Sequence, residues 1–245
     1  MLERSSRPPD RQWAYGDGSD QVGDLYLPSY PPSAGTGDRV PVILVHGGFW
    51  RPEYDRTHLR PMAAACAEAG HPTLLLGYSR VPGDPDAAVA DLRRGVAAAH
   101  EALPGGPPVL IGHSAGGHLA LVLAADPGIR ARGCLALAPV ADLRDAERLD
   151  LDGGGVRDFL GGSAHHRVDL DPVRLPPPTV PVAVIHGDAD SLVPPHLSDA
   201  YCRLTGSRLV ALPGIGHFEV IDPLSAAWPT VMAELATLAG AAGIE

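Results

Sequence analysis

Short apolar runs alternate with helix-periodic segments along most of the chain. Pro41–His46, Pro72–Tyr78, Pro108–His113, Gly133–Pro139 and Thr179–His186 are apolar almost throughout. Strands buried on both faces of a parallel sheet have that character. Gln12–Gly16 and Val22–Leu27 read as an early antiparallel hairpin, and Arg208–Leu212 as the last strand. Helical periodicity covers Tyr54–Ala69, with Pro61 marking a kink or a late start. It returns from Asp84 to about Leu103, where Asp84 can cap and Pro85 fits the first turn. Ser114–Ala125, a stretch from about Pro194 to Leu204, and Leu224–Leu238 are the remaining helices. The alternation predicts the α/β class: a mostly parallel, eight-stranded sheet with helices on both faces.

Leu143 to Pro178 breaks this rhythm. It carries Gly153-Gly154-Gly155, Gly161-Gly162 and Pro176-Pro177-Pro178. An insertion of that length between two strands reads as a small, partly helical cap. Residues 1–11 are polar and proline-rich and are expected to be disordered, and Pro28–Asp38 is expected to be an exposed turn. Residues 12–245 then form one domain with a cap insertion at about 143–178.

Composition narrows the chemistry. The chain has 245 residues, is 45% hydrophobic and carries a net charge of −10. It is long enough for one large core. No basic cluster exists to follow a phosphate backbone, so nucleic acid is not an expected partner. No segment has the length and apolarity of a membrane span. All 19 basic residues are arginine. Without lysine there is neither a Walker A loop nor an internal Schiff-base site. Cys66, Cys134 and Cys202 show no C-x-x-C or metal spacing, which points to a reducing, cytoplasmic setting.

Four segments carry candidate chemistry. In Gly112-His113-Ser114-Ala115-Gly116, small residues flank a serine between an apolar strand and an alanine-rich helix. A lone serine there would be an ordinary helix cap. A sharp strand-to-helix turn, however, also lifts a nucleophilic hydroxyl clear of the sheet, at a helix N-terminus. A hydroxyl needs a base, and His217 in Gly214-Ile215-Gly216-His217-Phe218 follows the last strand. The orienting acid must follow the strand ending at His186, where Asp188 and Asp190 both stand. Asp190 is preferred by its spacing before Ser191-Leu192-Val193-Pro194, with Asp188 as a turn residue. In His46-Gly47-Gly48-Phe49-Trp50, two glycines let the backbone approach a reacting carbonyl. The N–H groups of Gly48, Phe49 and Ala115 are the expected oxyanion donors.

The other histidines are weaker candidates for the base. His46 and His186 end strands and are expected to make structural hydrogen bonds. His113 and His118 belong to the turn and helix around Ser114. His165-His166 lies near Asp169 and Asp171, but the spacing fits a solvated loop better than a metal site. No metal or cofactor is expected. Trp50 and the cap residues Val156, Phe159 and Leu160 are candidates for one wall of a substrate pocket.

The order Ser, Asp, His, together with His46-Gly47-Gly48-Phe49-Trp50, Gly112-His113-Ser114-Ala115-Gly116-Gly117, His186-Gly187-x-x-Asp190-x-x-Val193-Pro194 and Gly216-His217-Phe218, resembles the serine α/β-hydrolases of the esterase and kynurenine-formamidase-like group. The resemblance runs from about Gln12 to Leu238. It implies the α/β-hydrolase fold and hydrolysis of a small-molecule carboxylic ester, or of an N-formyl aryl amide such as N-formylkynurenine. The intermediate would be a covalent acyl-enzyme. Acyl transfer, oligopeptidase activity, or a binding module that keeps the fold without turnover are the alternatives.

Overall fold

The computed structural model describes residues 4–29, 40–103 and 105–240. Eight strands form one open sheet: β1 (Arg11–Ala14), β2 (Val22–Tyr26), β3 (Val42–Val45), β4 (Thr73–Leu76), β5 (Val109–His113), β6 (Gly133–Leu137), β7 (Val182–Gly187) and β8 (Arg208–Leu212). Their order is β1-β2-β4-β3-β5-β6-β7-β8. The β1–β2 and β2–β4 pairings are antiparallel, and every pairing from β4 onward is parallel. Every residue of β3, β4, β5, β6 and β7 is buried. The reason is that both sheet faces are covered. One apolar cluster joins Ile43, Leu74, Leu110, Leu119 and Val184; the other joins Leu44, Leu75, Ile111, Ile185 and Leu235.

Among the described residues seven α-helices pack around the sheet: α1 (Arg60–Glu68), α2 (Pro85–Ala102), α3 (Ala115–Ala124), α4 (Leu143–Arg148), α5 (Gly155–Leu160), α6 (His196–Thr205) and α7 (Trp228–Gly240). All ten residues of α3 are buried, which is why the segment reads as apolar on every side. Two helices begin later than periodicity alone places them, and proline decides both. The Tyr54–Ala69 segment opens as a single 3-10 turn, Arg56–Leu59, and α1 proper starts at Arg60 with Pro61 in its first turn. Proline has no N–H to give to a preceding turn and crowds the carbonyl four residues back. Pro229 has the same effect at the start of α7.

The cap segment holds α4, α5 and three one-turn helices between β6 and β7. At the N-terminus, residues 1–3 lie outside the described residues. Residues 4–11, within the segment expected to be disordered, make specific side-chain contacts in this structure. Arg4 donates to Asp222 Oδ2 at 2.7 Å, Arg7 donates to Asp10 Oδ2 and the Leu27 carbonyl, both at 2.9 Å, and Arg11 opens β1. Arginines that found carboxylate partners anchor a segment with little apolar character. The turn expected at Pro28–Asp38 lies outside the described residues beyond Ser29. Among the described residues no helix is long and apolar enough to cross a membrane.

Candidate active site

Ser114 stands where β5 turns into α3, with φ 57° and ψ −121°. A non-glycine residue in that region is strained, and such strain persists only where the surroundings over-determine it. The surroundings here are backbone. A side chain at Gly112 would collide with the Gly116 carbonyl, and one at Gly116 with the carbonyls of Val45 and His46. The turn is further fixed by Ser114 N donating to Leu137 O at 2.9 Å, and by His118 N donating to Ser114 O at 3.0 Å.

His217 follows β8 and is almost wholly buried. Its Nδ1 lies 2.6 Å from Asp190 Oδ2. A carboxylate only accepts, so Nδ1 carries a proton, and in the neutral ring Nε2 then keeps its lone pair. Asp190 is buried, yet its carboxyl is held well below the usual range. Burial opposes ionisation, but hydrogen bonds from His186 and His217 outweigh it, helped by attraction to His217 and by the Val193 N–H. Asp188 points elsewhere: its Oδ1 accepts from Gly214 N at 2.6 Å and pins the loop before His217. The structure therefore brings Asp190, not Asp188, to His217.

Ser114 and His217 border one cavity of about 390 Å³, within the size range of small-molecule sites. Gly48 and Phe49 border the same cavity. Gly48, Phe49 and Trp50 are three successive residues with positive φ, 105°, 45° and 57°. A side chain at Gly48 would run into Tyr54. Ala115 is buried at the first position of α3, directly after Ser114. The backbone segments predicted to bind an oxyanion thus flank the serine.

Four of the sequence-predicted pocket residues lie elsewhere. Trp50, Val156, Phe159 and Leu160 do not border this cavity but are buried in the core. Trp50 stacks on Phe159 with centroids 4.5 Å apart and planes 11° from parallel, and both meet the edge of His118. The reason is geometric: the aromatic pair closes the cap onto the sheet, so it is spent on packing. The walls come instead from Glu53, Tyr54, Asp55, Thr57 and His58, with Asp152, Leu192 and Phe218. Residues 54–58 escaped sequence reading because periodicity assigned them to a helix. Pro61 and Asp55, whose Oδ1 accepts from Thr57 N at 2.9 Å, were the signals that they form a capped single 3-10 turn instead.

Arg51, next to the predicted oxyanion loop, was also missed. Its guanidinium donates to Asp152 Oδ2 at 2.8 Å, to the Asp152 carbonyl at 2.9 Å and to Asp158 Oδ2 at 2.5 Å. The loop is thereby latched to the cap. The neighbouring histidines are neutral anchors. Burial pushes His46 down to about 3 and His118 down to about 4, and it lowers His113 well below the ordinary value. His113 Nε2 donates to the His217 carbonyl at 2.9 Å, tying the strand before Ser114 to the loop of His217. Among the described residues no group of three His, Cys, Asp or Glu is placed to hold a metal ion, and His165-His166 forms a one-turn helix in the cap.

The chain has the α/β-hydrolase fold. Residues 40–153 match the protein family described as alpha/beta hydrolase fold. A stretch of 117 residues is 34% identical to kynurenine formamidase of Danio rerio; it covers 46% of this chain but only 38% of that enzyme. Among solved structures, a tributyrin-phosphonate-inhibited esterase B from Lactobacillus rhamnosis superimposes with a TM-score of 0.76 at 20% identity, over 95% of this chain and 88% of that one. A thermophilic esterase from Thermogutta terrifontis gives 0.69 at 22% identity, over 96% and 94%. The chain thus resembles the serine α/β-hydrolases of the esterase and formamidase-like group.

Proposed function

We propose that this chain is a cofactor-free serine hydrolase acting on a small carboxylic ester or an aryl formamide. The observation that carries the reading is the arrangement around one cavity: a strained serine at a helix N-terminus, and a histidine oriented by a buried, ionised aspartate. His217 Nε2 takes the hydroxyl proton of Ser114 as Oγ attacks the substrate carbonyl carbon. The carbonyl oxygen becomes an oxyanion, received by the N–H groups of Gly48, Phe49 and Ala115. Collapse of the intermediate breaks the bond to the alcohol or amine, which leaves with the proton from His217. Water then gives a proton to His217, attacks the acyl or formyl carbon and releases the acid, restoring Ser114. Asp190 holds the ring in its tautomer and stabilises the imidazolium.

The formamide arm rests on the His46-Gly47-Gly48-Phe49-Trp50 segment and the partial match to the zebrafish formamidase. The ester arm rests on the shape shared with esterases. Three buried, free thiols at Cys66, Cys134 and Cys202 favour a reducing, cytoplasmic location. The test is a hydrolysis panel of short and long p-nitrophenyl esters alongside N-formylkynurenine. Turnover of either class, abolished by a fluorophosphonate, supports the reading. Binding without turnover of any of them would assign the chain to a non-catalytic module.

A further inference from the structure

The proposed acid is held by more than its histidine partner. Asp190 Oδ1 accepts from the backbone N–H groups of Leu192 at 2.8 Å and Val193 at 2.9 Å. Its Oδ2 accepts from His217 at 2.6 Å and also faces Nε2 of a second imidazole, His186, at 3.1 Å. That imidazole is buried near the end of β7, four residues before Asp190. Its protonation is fixed by what surrounds it. Nε2 faces two pure acceptors, Asp190 Oδ2 and the Val193 carbonyl at 2.9 Å, so Nε2 carries the proton. Nδ1 lies 2.7 Å from Oγ of Ser198, a fully buried residue of α6. The hydroxyl donates and Nδ1 accepts, so a neutral ring satisfies every contact.

We propose that His186, its ring held in place by Ser198, is a positioning residue that fixes the Oδ2 atom of Asp190 on His217. The proposal rests on the hydrolase reading above. The physical argument is one of counting. The carboxylate has four donors, two on each oxygen, and three of them come from buried residues, Val193, His186 and His217. Three of them belong to Asp190's own loop or to His217. His186 alone ties Oδ2 to the sheet. Without that donor a buried carboxylate oxygen is left short of a partner, and the carboxylate can turn on its Cβ–Cγ bond away from His217. A site held by its supporting shell is sensitive to such loosening. His186 touches neither Ser114 nor the cavity, so substrate binding should be spared.

The test compares two amides of nearly equal polarity. In His186→Gln the side-chain nitrogen reaches the position of Nε2 and keeps the donor to Asp190. In His186→Asn the nitrogen falls at the position of Nδ1 and cannot reach it. Ser198→Ala, which keeps the imidazole but removes the contact that anchors its Nδ1 edge, is the third variant. Fluorophosphonate labelling rates and kcat and KM for a p-nitrophenyl ester are measured on the full chain, with melting temperatures. The Asn variant should lose on the order of 10- to 100-fold in kcat, the loss typical of a supporting hydrogen bond around a functional group, with KM within about 2-fold. The Gln variant should recover to within about 3-fold of the parent, and Ser198→Ala should lose several-fold in kcat with KM kept. Equal activity of the Asn and Gln variants, or an unchanged kcat in Ser198→Ala, would overturn the proposal while leaving the hydrolase reading intact. A parent chain that neither labels nor turns over would overturn both.

Discussion

Arg51 and Asp152, 101 positions apart in sequence, meet through two hydrogen bonds: Nε to the carboxylate at 2.8 Å and a terminal nitrogen to the carbonyl at 2.9 Å. The contact joins the loop of Gly48 and Phe49 to the cap, and Asp158 adds a third acceptor. It holds a loop with three successive positive φ values against relaxation. Removing it should cost more in catalysis than in stability. Arg51→Ala should lower stability by only about 1 kcal/mol, because the pair is partly exposed. Its kcat/KM should fall on the order of 10-fold, since small displacements of the loop proposed to bind the oxyanion are costly. Parallel denaturation and kinetics decide this; a rate loss that merely follows the loss of folded protein would refute the latch.

Asp190 and Asp188 differ in what they hold. Asp190→Asn replaces the acceptor at His217 with a group that no longer fixes the required tautomer, so kcat should fall on the order of 10³- to 10⁴-fold. Asp188→Asn loses only a loop contact to Gly214 and should stay within about 5-fold. Steady-state kinetics on both variants checks the ranking, and comparable losses would count against it.

Phe159 is packing rather than pocket. It is buried, stacked on Trp50 and away from the cavity. Phe159→Ala should therefore destabilise the fold by about 3–5 kcal/mol, as large core truncations do. It should leave the ranking of substrates unchanged. Melting curves, and kcat/KM across acyl chain lengths at a temperature where the variant is folded, make the comparison. A changed ranking would return Phe159 to the substrate wall.

Much of this was legible in the sequence because local rules and tertiary packing agreed. Fully apolar runs marked the buried parallel strands, and Gly112 and Gly116 marked the turn at Ser114, where only backbone fits. The spacing after His186 singled out Asp190 over Asp188, and the structure places it on His217. The cavity walls were not legible. Periodicity continued a helix through residues 54–59 that Pro61 cuts short, turning Tyr54 and His58 into wall residues. The aromatic residues Trp50 and Phe159 carry no mark that tells a wall from a core. His186 was expected to make structural bonds, but a contact to Asp190 depends on how a loop returns to the end of its own strand, which no local pattern encodes.

Buried neutral histidines set the acid response. His46 and His118 titrate near 6.5 when unfolded but are pushed down to about 3 and about 4 in the fold, and His113 is lowered too. Their neutral forms stabilise the fold fully above pH about 6.5, and that contribution is lost as pH falls toward the folded values. Below pH about 6 the unfolded chain binds more protons than the folded one. Stability should then fall by about 1.4 kcal/mol per pH unit for each histidine involved. The depressed carboxyl of Asp190 adds a further loss below pH about 4. Urea titrations between pH 7.5 and 4.5 measure the slope; a flat profile across pH 6 to 5 would contradict the assignment.

The central claim is that Ser114 is the nucleophile. Its most direct measurement is covalent capture: intact-mass and peptide mapping after a fluorophosphonate, for the parent and for Ser114→Ala. Alanine fits the turn, since the serine side chain makes none of the backbone contacts that hold it. The account predicts one adduct in the parent, on the peptide holding Ser114. It predicts none in a folded Ser114→Ala variant, whose ester turnover falls by on the order of 10³-fold or more. An adduct that persists in the variant, or a folded variant that keeps most of the parent's turnover, would contradict it.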